Sequence, residues 1–361
     1  MSIHNLRVTC CRILSHIEIE PSLGFNLISG ANGSGKSSLL EAISLLGTGR
    51  SFRTATVAPV VQEGNRVVTV SAQIETAIGT TLSVGMERGK GSQRLQINHT
   101  AVQRLSEFAE QLPLQIITPE SIDLVMGPPK GRRSFIDWGM FHVEPLFLPL
   151  TQRYKKIIRH RNALLKKRVG IGTQLPYWDE QLVEVGESLT EQRKQYIIEL
   201  IDRYQSIVLE KIPTLTKLDI SFEYKQGWKS TLSLSQALEQ SRDRERAVGY
   251  TVVGPQEADL LIRTADDKAK QVLSRGQAKL LSMGLYLSQL SHLDDKRGKR
   301  GVVLIDDLFS ELDPKNSLTI LDHLVDSGHQ IFATTADDVT ELLNRYPVKV
   351  FHVEHGEISE R

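Results

Sequence analysis

A glycine-rich loop near the start of the sequence constrains the fold more than any other feature. Residues 30–37 read Gly-Ala-Asn-Gly-Ser-Gly-Lys-Ser and match the pattern G-x-x-x-x-G-K-[ST]. The loop follows a short apolar run at 25–29 and precedes helix-forming residues at 37–46. This order of strand, loop and helix predicts an α/β fold and argues against a glycine-rich turn with no ligand.

The residue types in this loop suit the binding of a nucleotide. Glycines allow backbone N–H groups to turn inward around phosphate oxygens, and the helix N-terminus adds positive potential. Lys36 is expected to reach the β- and γ-phosphates, and Ser37 to bind Mg²⁺. The predicted nucleotide-binding residues are Gly30, Ala31, Asn32, Gly33, Ser34, Gly35, Lys36, Ser37 and Ser38.

An acidic strand end provides the expected companion to the loop. The apolar run at 302–305 is typical of a strand buried on both faces of a parallel sheet, and it ends in Asp306 and Asp307. We expect Asp306 to hold the metal through water, and Asp307 to orient or deprotonate the attacking water. Lys36 and Asp307 are thus the catalytic candidates. A solvated strand end without such a role is the alternative.

A third motif lies 32 residues before Asp306, where residues 273–277 read Leu-Ser-Arg-Gly-Gln at the start of a predicted helix. Ser274 can cap that helix, and the N–H groups beyond it can bind an anion. The motif resembles the L-S-G-G-Q signature of ABC-type ATPases. The resemblance implies a two-fold homodimer with two ATP molecules between its subunits. The residues implied to contact the partner's ATP are Leu273, Ser274, Arg275, Gly276 and Gln277; a chance helix cap is the alternative.

The ABC-type resemblance implies roles for further positions. Gln115 stands where the class has a glutamine that senses metal and water, so it joins Ser37 and Asp306 as a metal candidate. Thr335 stands where transporters carry a switch histidine, and residues 310–313 match the loop that crosses the dimer interface. For Gln115 and Thr335 a plain structural role remains open. Many related ATPases carry Glu at the position of Asp307, so the shorter Asp predicts slow hydrolysis.

The chain is expected to form one ABC-type ATPase head from both of its ends. Residues 1–112 and 265–361 show the mixed strand and helix pattern of the head, whereas 113–264 are assigned to an inserted, mainly helical lobe. No apolar run approaches ~20 residues, and the first residues lack a signal-peptide pattern. The two cysteines are adjacent and cannot cross-link the fold, so we expect a reduced, cytoplasmic protein with no membrane partner.

Longer stretches resemble the RecF family of bacterial recombination mediators, which is related to SMC proteins. The resemblance covers nearly the whole chain and rests on residues 30–43, 49–53, 118–120, 127–138, 273–277 and 305–313. It implies ATP-dependent binding of single-stranded, gapped and junction DNA by an ATP-closed dimer, in recombinational gap repair and replication restart. The partners it implies are RecR and RecO, which help to load RecA onto gaps.

One loop departs from the family pattern. The family usually reads G-P-H-(K/R)-x-D before the signature, whereas residues 254–259 read Gly-Pro-Gln-Glu-Ala-Asp. A basic pair is replaced by one neutral and one acidic residue, which weakens the case for a phosphate or DNA contact by this loop.

Basic residues are concentrated in one segment, although the whole chain has 44 basic and 43 acidic residues. Residues 153–168 contain eight Lys or Arg and no acid, a pattern that lets a helix pack by its apolar stripe and offer cations to phosphates. We expect no base-specific recognition, because phosphate contacts carry no sequence information. The DNA candidates are Lys130, Arg132, Arg133, Arg153, Lys155, Lys156, Arg159 and Arg161, with a solvated helix face as the alternative; Arg12 and Arg53 are candidates for nucleotide or DNA contacts.

Three other functions fit the sequence less well. An ABC transporter subunit would have a much shorter insertion than the 238 residues between Lys36 and Ser274, and it would carry a switch histidine. A P-loop kinase of a small metabolite would not need the signature at 273–277. A purely structural, ATP-bound scaffold would not need Asp307.

Overall fold

The computed structural model describes residues 1–76, 78–167, 172–265, 267–298, 300–307, 312, 314–336 and 340–361, without the side chains at 208–211, 314, 340, 341 and 343. Of the predicted interface loop 310–313, only residue 312 is among them, and Arg168 lies outside them. Within the described residues, no helix has the length and apolarity that crossing a membrane requires.

Strands and helices alternate at both ends of the chain, and helices predominate in the middle. The strands are β1 (Ser2–Cys11), β2 (Leu14–Ile19), β3 (Phe25–Ser29), β4 (Val67–Glu75), β5 (Thr81–Gly89), β6 (Ser92–Ile97), β7 (Thr100–Val102), β8 (Leu114–Ile117), β9 (Ile220–Lys225), β10 (Asp259–Thr264), β11 (Asp267–Lys268), β12 (Val302–Ile305), β13 (Gln330–Thr335), β14 (Val348–Glu354) and β15 (Glu357–Glu360). The helices are α1 (Lys36–Thr48), α2 (Leu105–Ala109), α3 (Asp123–Met126), α4 (Pro129–Val143), α5 (Phe147–Lys167), α6 (Leu175–Lys211), α7 (Pro213–Thr216), α8 (Leu234–Val248), α9 (Ala269–Val272), α10 (Arg275–Arg297), α11 (Pro314–Asp326) and α12 (Thr340–Arg345).

The chain divides into two compact units. The head unit comprises residues 1–121 and 293–361, and the lobe unit comprises residues 122–292. These limits differ from the predicted ones at 112/113 and 264/265. At the first limit the reason is backbone pairing, because β8 forms a parallel ladder with β12 and so lies in the head unit.

A mainly parallel sheet forms one layer of the head unit. Its strand order is β15-β14-β3-β13-β12-β8, and all neighbours are parallel except β15 and β14. The predicted strands at 25–29 and 302–305 are therefore confirmed, with β13 between them. Because parallel strands end at the same edge, the ends of β3, β12 and β13 lie together, which is where α/β sheets bind ligands.

An antiparallel sheet and a buried helix complete the head unit. The sheet has the order β2-β1-β4-β5-β6-β7, and β4 and β5 form an antiparallel hairpin within it. Helix α1 is buried on nearly every side, since one apolar cluster joins it to strands of both sheets. The phosphate loop is consequently attached to a helix that is packed within the core of the unit.

The lobe unit depends on an arginine that is buried within α5. Arg161 is only 1% exposed and occupies the apolar stripe of α5, between Ile157 and Leu165. Its guanidinium donates to Asp179 Oδ1 at 2.7 Å and to Glu245 Oε2 at 2.6 Å, which ties α5 to α6 and α8. The prediction that Arg161 contacts DNA is therefore wrong, because its donors are used inside the lobe unit.

Arg132 is a second predicted DNA contact that is buried. Its side chain donates to both carboxylate oxygens of Asp259, at 2.7 and 3.1 Å, and to the backbone oxygens of Leu124 and Gly127. These bonds join α3 and α4 to β10. The assignment of Arg132 to DNA is wrong for the same reason as that of Arg161.

We predict that Glu245→Gln strongly destabilises the protein while Glu184→Gln does not. Both substitutions remove a carboxylate that pairs with an arginine of α5, but Glu245 is fully buried and Glu184 is exposed. Breaking a buried pair costs about 3–5 kcal/mol, whereas an exposed pair contributes less than about 1 kcal/mol. Urea unfolding measures both, and equal losses for the two variants would contradict the role given to Arg161.

Candidate nucleotide site

The phosphate loop runs from the end of β3 to the start of α1, and glycine is required at both of its ends. Gly30 has φ +146°, and a Cβ there would lie 2.3 Å from the carbonyl oxygen of Val353. Gly35 has φ +120°, and a Cβ there would press against Leu14 and Ile13. Backbone conformation and close packing together explain why the motif has glycine at its first position and again just before Lys36.

The Lys36 side chain folds back across this loop. Its Nζ donates hydrogen bonds to the carbonyl oxygens of Gly30 at 2.7 Å and Ala31 at 2.9 Å. Burial lowers the pKa of Lys36, against the opposing effect of the Asp306 and Asp307 carboxylates. The hydroxyl of Ser34 is buried in the same loop and has no hydrogen-bond partner among the described residues. An unsatisfied hydroxyl beside a lysine fits a loop built to receive phosphate oxygens.

Asp306 lies at the end of β12 and is held from two sides. Ser37 Oγ donates to Asp306 Oδ1 at 2.8 Å, and Thr334 Oγ1 donates to the same oxygen at 2.9 Å. The two oxygen ligands predicted for Mg²⁺, from Ser37 and Asp306, are thus in direct contact. Hard oxygen donors beside a phosphate loop suit Mg²⁺, which usually takes few protein ligands and several waters.

Asp307 adopts a left-handed backbone conformation with φ +58° and is exposed. Its backbone N–H donates to Thr334 Oγ1 at 2.8 Å, so one threonine fixes both acidic residues. A non-glycine residue in this region is uncommon and often marks a functional site. The exposed carboxylate is accessible to water, as its predicted catalytic role requires.

A cavity of about 750 Å³ joins these residues. The volume lies within the usual range for ligand sites of ~300–1,000 Å³. The lining confirms that the motifs at 30–38 and 306–307 meet, and it includes Thr335, Arg12 and Arg53, which the sequence nominated without a fixed role. The lining residues are Arg12, Ile13, Asn32, Gly33, Gly35, Lys36, Ser37, Ser38, Arg53, Pro119, Asp306, Asp307, Thr334, Thr335 and Ala336.

Gln115 does not line this cavity, so the structure does not bring it to the wall that holds Ser37 and Asp306. It is 7% exposed and pairs in register with Val303, three residues before Asp306. The position therefore lies within the sheet and not at the edge where β12 ends. Pro119, which follows β8, lines the cavity on that side instead.

A buried glutamate positions Arg12 at the cavity, and the sequence analysis did not identify it. Glu41 on α1 is fully buried and accepts from Arg12 Nε at 2.8 Å and Arg12 Nη2 at 2.9 Å. The hydroxyl of Ser51 also donates to Glu41. The detectable signal was a lone acid within the apolar run 39–46 of a helix, since such an acid needs a partner.

The signature residues form a helix cap, as predicted. Ser274 Oγ accepts from the backbone N–H of Gln277 at 3.3 Å, and Gln277 Oε1 accepts from the backbone N–H of Ser274 at 2.9 Å. This reciprocal pair is a capping box at the start of α10. Ser274 and Arg275 are exposed, and Leu273 is buried beneath them.

Some of the remaining DNA candidates form ion pairs or hydrogen bonds within the protein, and others, here called the unengaged cations, do not. Arg153 pairs with Glu184, and Arg133 donates to the carbonyl oxygen of Ala258. By contrast, five exposed cations of α5 form no ion pair or side-chain hydrogen bond within the described part of the chain, and neither does Lys130. The five are Lys155, Lys156, Arg159, Lys166 and Lys167.

In the loop that departs from the family pattern, Gln256 forms hydrogen bonds within the lobe unit, whereas Glu257 is exposed. Gln256 accepts a hydrogen bond from the Tyr154 hydroxyl and donates to the carbonyl oxygen of Val253 at 3.0 Å. The neutral residue therefore stabilises the lobe unit.

Comparisons with known proteins cover the full chain. Residues 2–359 match the family described as RecF/RecN/SMC N terminal domain. The chain is 38% identical to the DNA replication and repair protein RecF of Shewanella loihica, with 99% of both chains covered, and 39% identical to that of Shewanella woodyi, with 99% of this chain and 97% of the relative covered. Among solved structures, the recombination mediator protein RecF with ATP in the RecFOR pathway matches with TM-score 0.88 and 25% identity, covering 100% of this chain and 97% of the other. An Smc head bound to the C-terminal winged-helix domain of ScpA shares the fold with TM-score 0.57 at 16% identity, covering 100% and 97% of the two chains.

We predict that Glu41→Gln weakens nucleotide binding about tenfold, equal to about 1.4 kcal/mol, because Arg12 loses the carboxylate that holds it at the cavity. Titration with a fluorescent ATP analogue measures this. Glu18→Gln is the control, since it removes a carboxylate that pairs with Arg7 at an exposed position of the same unit and should leave affinity unchanged. Unchanged affinity of the Glu41 variant would show that Arg12 does not contribute to binding.

Proposed function

This chain belongs to the RecF family of the RecF/RecN/SMC proteins, and from that premise we propose that it is an ATP-dependent DNA-binding protein of recombinational gap repair and replication restart. The observation that carries the proposal is the full-length similarity to RecF proteins, combined with an intact phosphate loop in contact with Asp306. The protein acts in the cytoplasm, in keeping with free thiols at Cys10 and Cys11.

ATP is bound in the cavity of the head unit. The loop N–H groups and Lys36 take the β- and γ-phosphates, and in doing so Lys36 exchanges the carbonyls of Gly30 and Ala31 for phosphate oxygens. Ser37 and Asp306 hold Mg²⁺, which neutralises the charge that develops on the phosphate oxygens. Thr334 keeps Asp306 in place, and Arg12 adds positive charge at the rim.

Asp307 acts as the general base of a slow hydrolysis. Its exposed carboxylate orients a water molecule toward the γ-phosphate and accepts a proton from it. Asp is one methylene shorter than Glu, so the carboxylate reaches the water less well. Slow turnover suits a switch in which the ATP-bound state lasts long enough to act on DNA.

Dimerisation couples ATP to DNA. The exposed cap formed by Ser274 and Gln277 offers the N–H groups of α10 to the γ-phosphate of ATP held by a second copy. The two copies then close around two ATP molecules with two-fold symmetry. DNA lies against the unengaged cations of α5 and Lys130, and RecO and RecR join the complex to promote loading of RecA at gaps.

We predict that Asp307→Asn lowers the rate of ATP hydrolysis at least 100-fold and leaves ATP affinity within twofold of the starting value, as expected for loss of a general base. Phosphate release and nucleotide titration measure the two effects. Glu354→Gln, at an exposed acid of the same unit, should change neither. Unchanged turnover of the Asp307 variant would contradict the role of Asp307 as the general base.

We predict that Ser274→Arg abolishes ATP-dependent dimerisation and spares ATP binding by the monomer. Light scattering after gel filtration, with ATP and Mg²⁺, measures the dimer. Ser233→Arg is the matched control, because Ser233 forms the equivalent capping box of α8, and each loss of a cap costs only about 1 kcal/mol. Loss of monomer binding in the Ser274 variant would contradict a role toward the partner's nucleotide.

We predict that replacing Lys155, Lys156 and Arg159 together by Ala weakens binding of a fluorescent gapped duplex and flattens its salt dependence. Each lost phosphate contact should reduce the slope of log K against log salt by about 0.9. Arg153→Ala, which removes a cation already paired with Glu184, should have little effect.

Binding by the unaltered protein should require ATP and Mg²⁺, and no binding even at low salt would contradict the proposed function.

A further inference from the structure

Three aromatic side chains meet where the C-terminal part of α5 lies beside the start of α6. The rings of His160 and Trp178 are stacked, with centroids 4.7 Å apart and planes inclined by 7°. Tyr177 meets Trp178 edge-on at 5.3 Å and is 57% exposed. We refer to His160, Tyr177 and Trp178 as the aromatic cluster.

The aromatic cluster is not part of the core of the lobe unit. The buried stripe of α5 runs through Tyr154, Ile157, Arg161 and Leu165, and His160 lies outside it and is exposed. Tyr177 is exposed beside the stacked pair, so its ring is open to contact by a ligand with a flat face.

The aromatic cluster is held rigidly from below. Arg161 and Asp179 are the residues directly after His160 and Trp178, and they form a 2.7 Å ion pair between α5 and α6. That pair fixes the register of the two helices where the rings stack. A ligand that binds here pays little to order the rings, which favours a preformed recognition site.

Cations flank the aromatic cluster along α5. Lys156 precedes His160 by four residues and Lys167 follows it by seven, so all three lie on one face of the helix. The two lysines are about 16 Å apart along the axis at 1.5 Å per residue. Neither is engaged by an acid in the part of the chain that the structure describes, so both remain available to phosphates.

We propose that the aromatic cluster stacks on an unpaired base of single-stranded DNA, while Lys156 and Lys167 hold phosphates on either side of it. Aromatic rings interleaved with cations are the usual means of binding single strands without sequence preference. A protein partner is less favoured, since protein contacts centre on aromatic residues from which charge is excluded. The inference rests on the proposed function and adds what lets the protein distinguish a tailed or gapped duplex from a continuous one.

Tyr177→Ala tests the proposal with two DNA probes of equal duplex length, one blunt and one with a single-stranded tail, in ATP and Mg²⁺ at fixed salt. The variant should bind the tailed probe about 5- to 150-fold more weakly, as expected for one lost base stack of about 1–3 kcal/mol, and the blunt probe unchanged. Tyr177→Phe, which keeps the ring, should bind both like the unaltered protein. Ile198→Ala, at an exposed apolar residue of α6, is the control for an altered surface.

Crosslinking gives a second measurement that does not depend on affinity. A tail carrying 5-iodouracil should crosslink to the aromatic cluster on irradiation, and the Tyr177→Ala variant should lose that product.

Each other outcome overturns the inference in a distinguishable way. Equal binding of the tailed probe by Tyr177→Ala and the unaltered protein would exclude stacking and leave the proposed function intact. Equal weakening of both probes would show that the aromatic cluster does not sense unpaired bases. If the unaltered protein bound neither probe, the proposed function would fail together with the inference.

Discussion

The contact of Ser37 and Thr334 with one oxygen of Asp306 determines what the head unit can do. Ser37 lies 269 residues from Asp306 in the sequence, and the three residues meet only because β3, β13 and β12 are adjacent and parallel. The contact therefore requires the correct sheet order, the correct register and a loop that enters α1 directly.

Sequence patterns predicted the elements whose local signal and tertiary role agree. β3 is mostly apolar and buried and β12 is entirely so, the loop between β3 and α1 has glycines where only glycine fits, and Ser274 caps α10 as part of a capping box. Residues of both motifs, at 30–38 and 306–307, line the same cavity, as the order of strands, loop and helix predicted. In each case the residue type is demanded by backbone conformation or burial within a few neighbouring residues.

The sequence could not distinguish the arginines that form buried ion pairs from those that are exposed. Arg161 and Arg159 belong to the same basic run, yet one is enclosed by Asp179 and Glu245 and the other is exposed. The two arginines are two residues apart on α5 and therefore lie on different faces of the helix. Only the buried one meets acids, and those acids are distant from it in sequence. Glu41 was missed because its partner, Arg12 in the turn after β1, becomes its neighbour only in the folded head unit. Gln115 was placed near the metal because its position opposite Val303 is set by the pairing of β8 with β12, which the sequence does not show.

The central position of β3 also governs how the molecule can be made. Its neighbours are β13 and β14, so a strand from the first thirty residues pairs only with strands from the last thirty-five. During synthesis β3 therefore has neither of these partner strands until translation is nearly complete, and this sheet cannot form before then. High contact order of this kind slows folding, and it prevents unfinished chains from acquiring a competent ATP site.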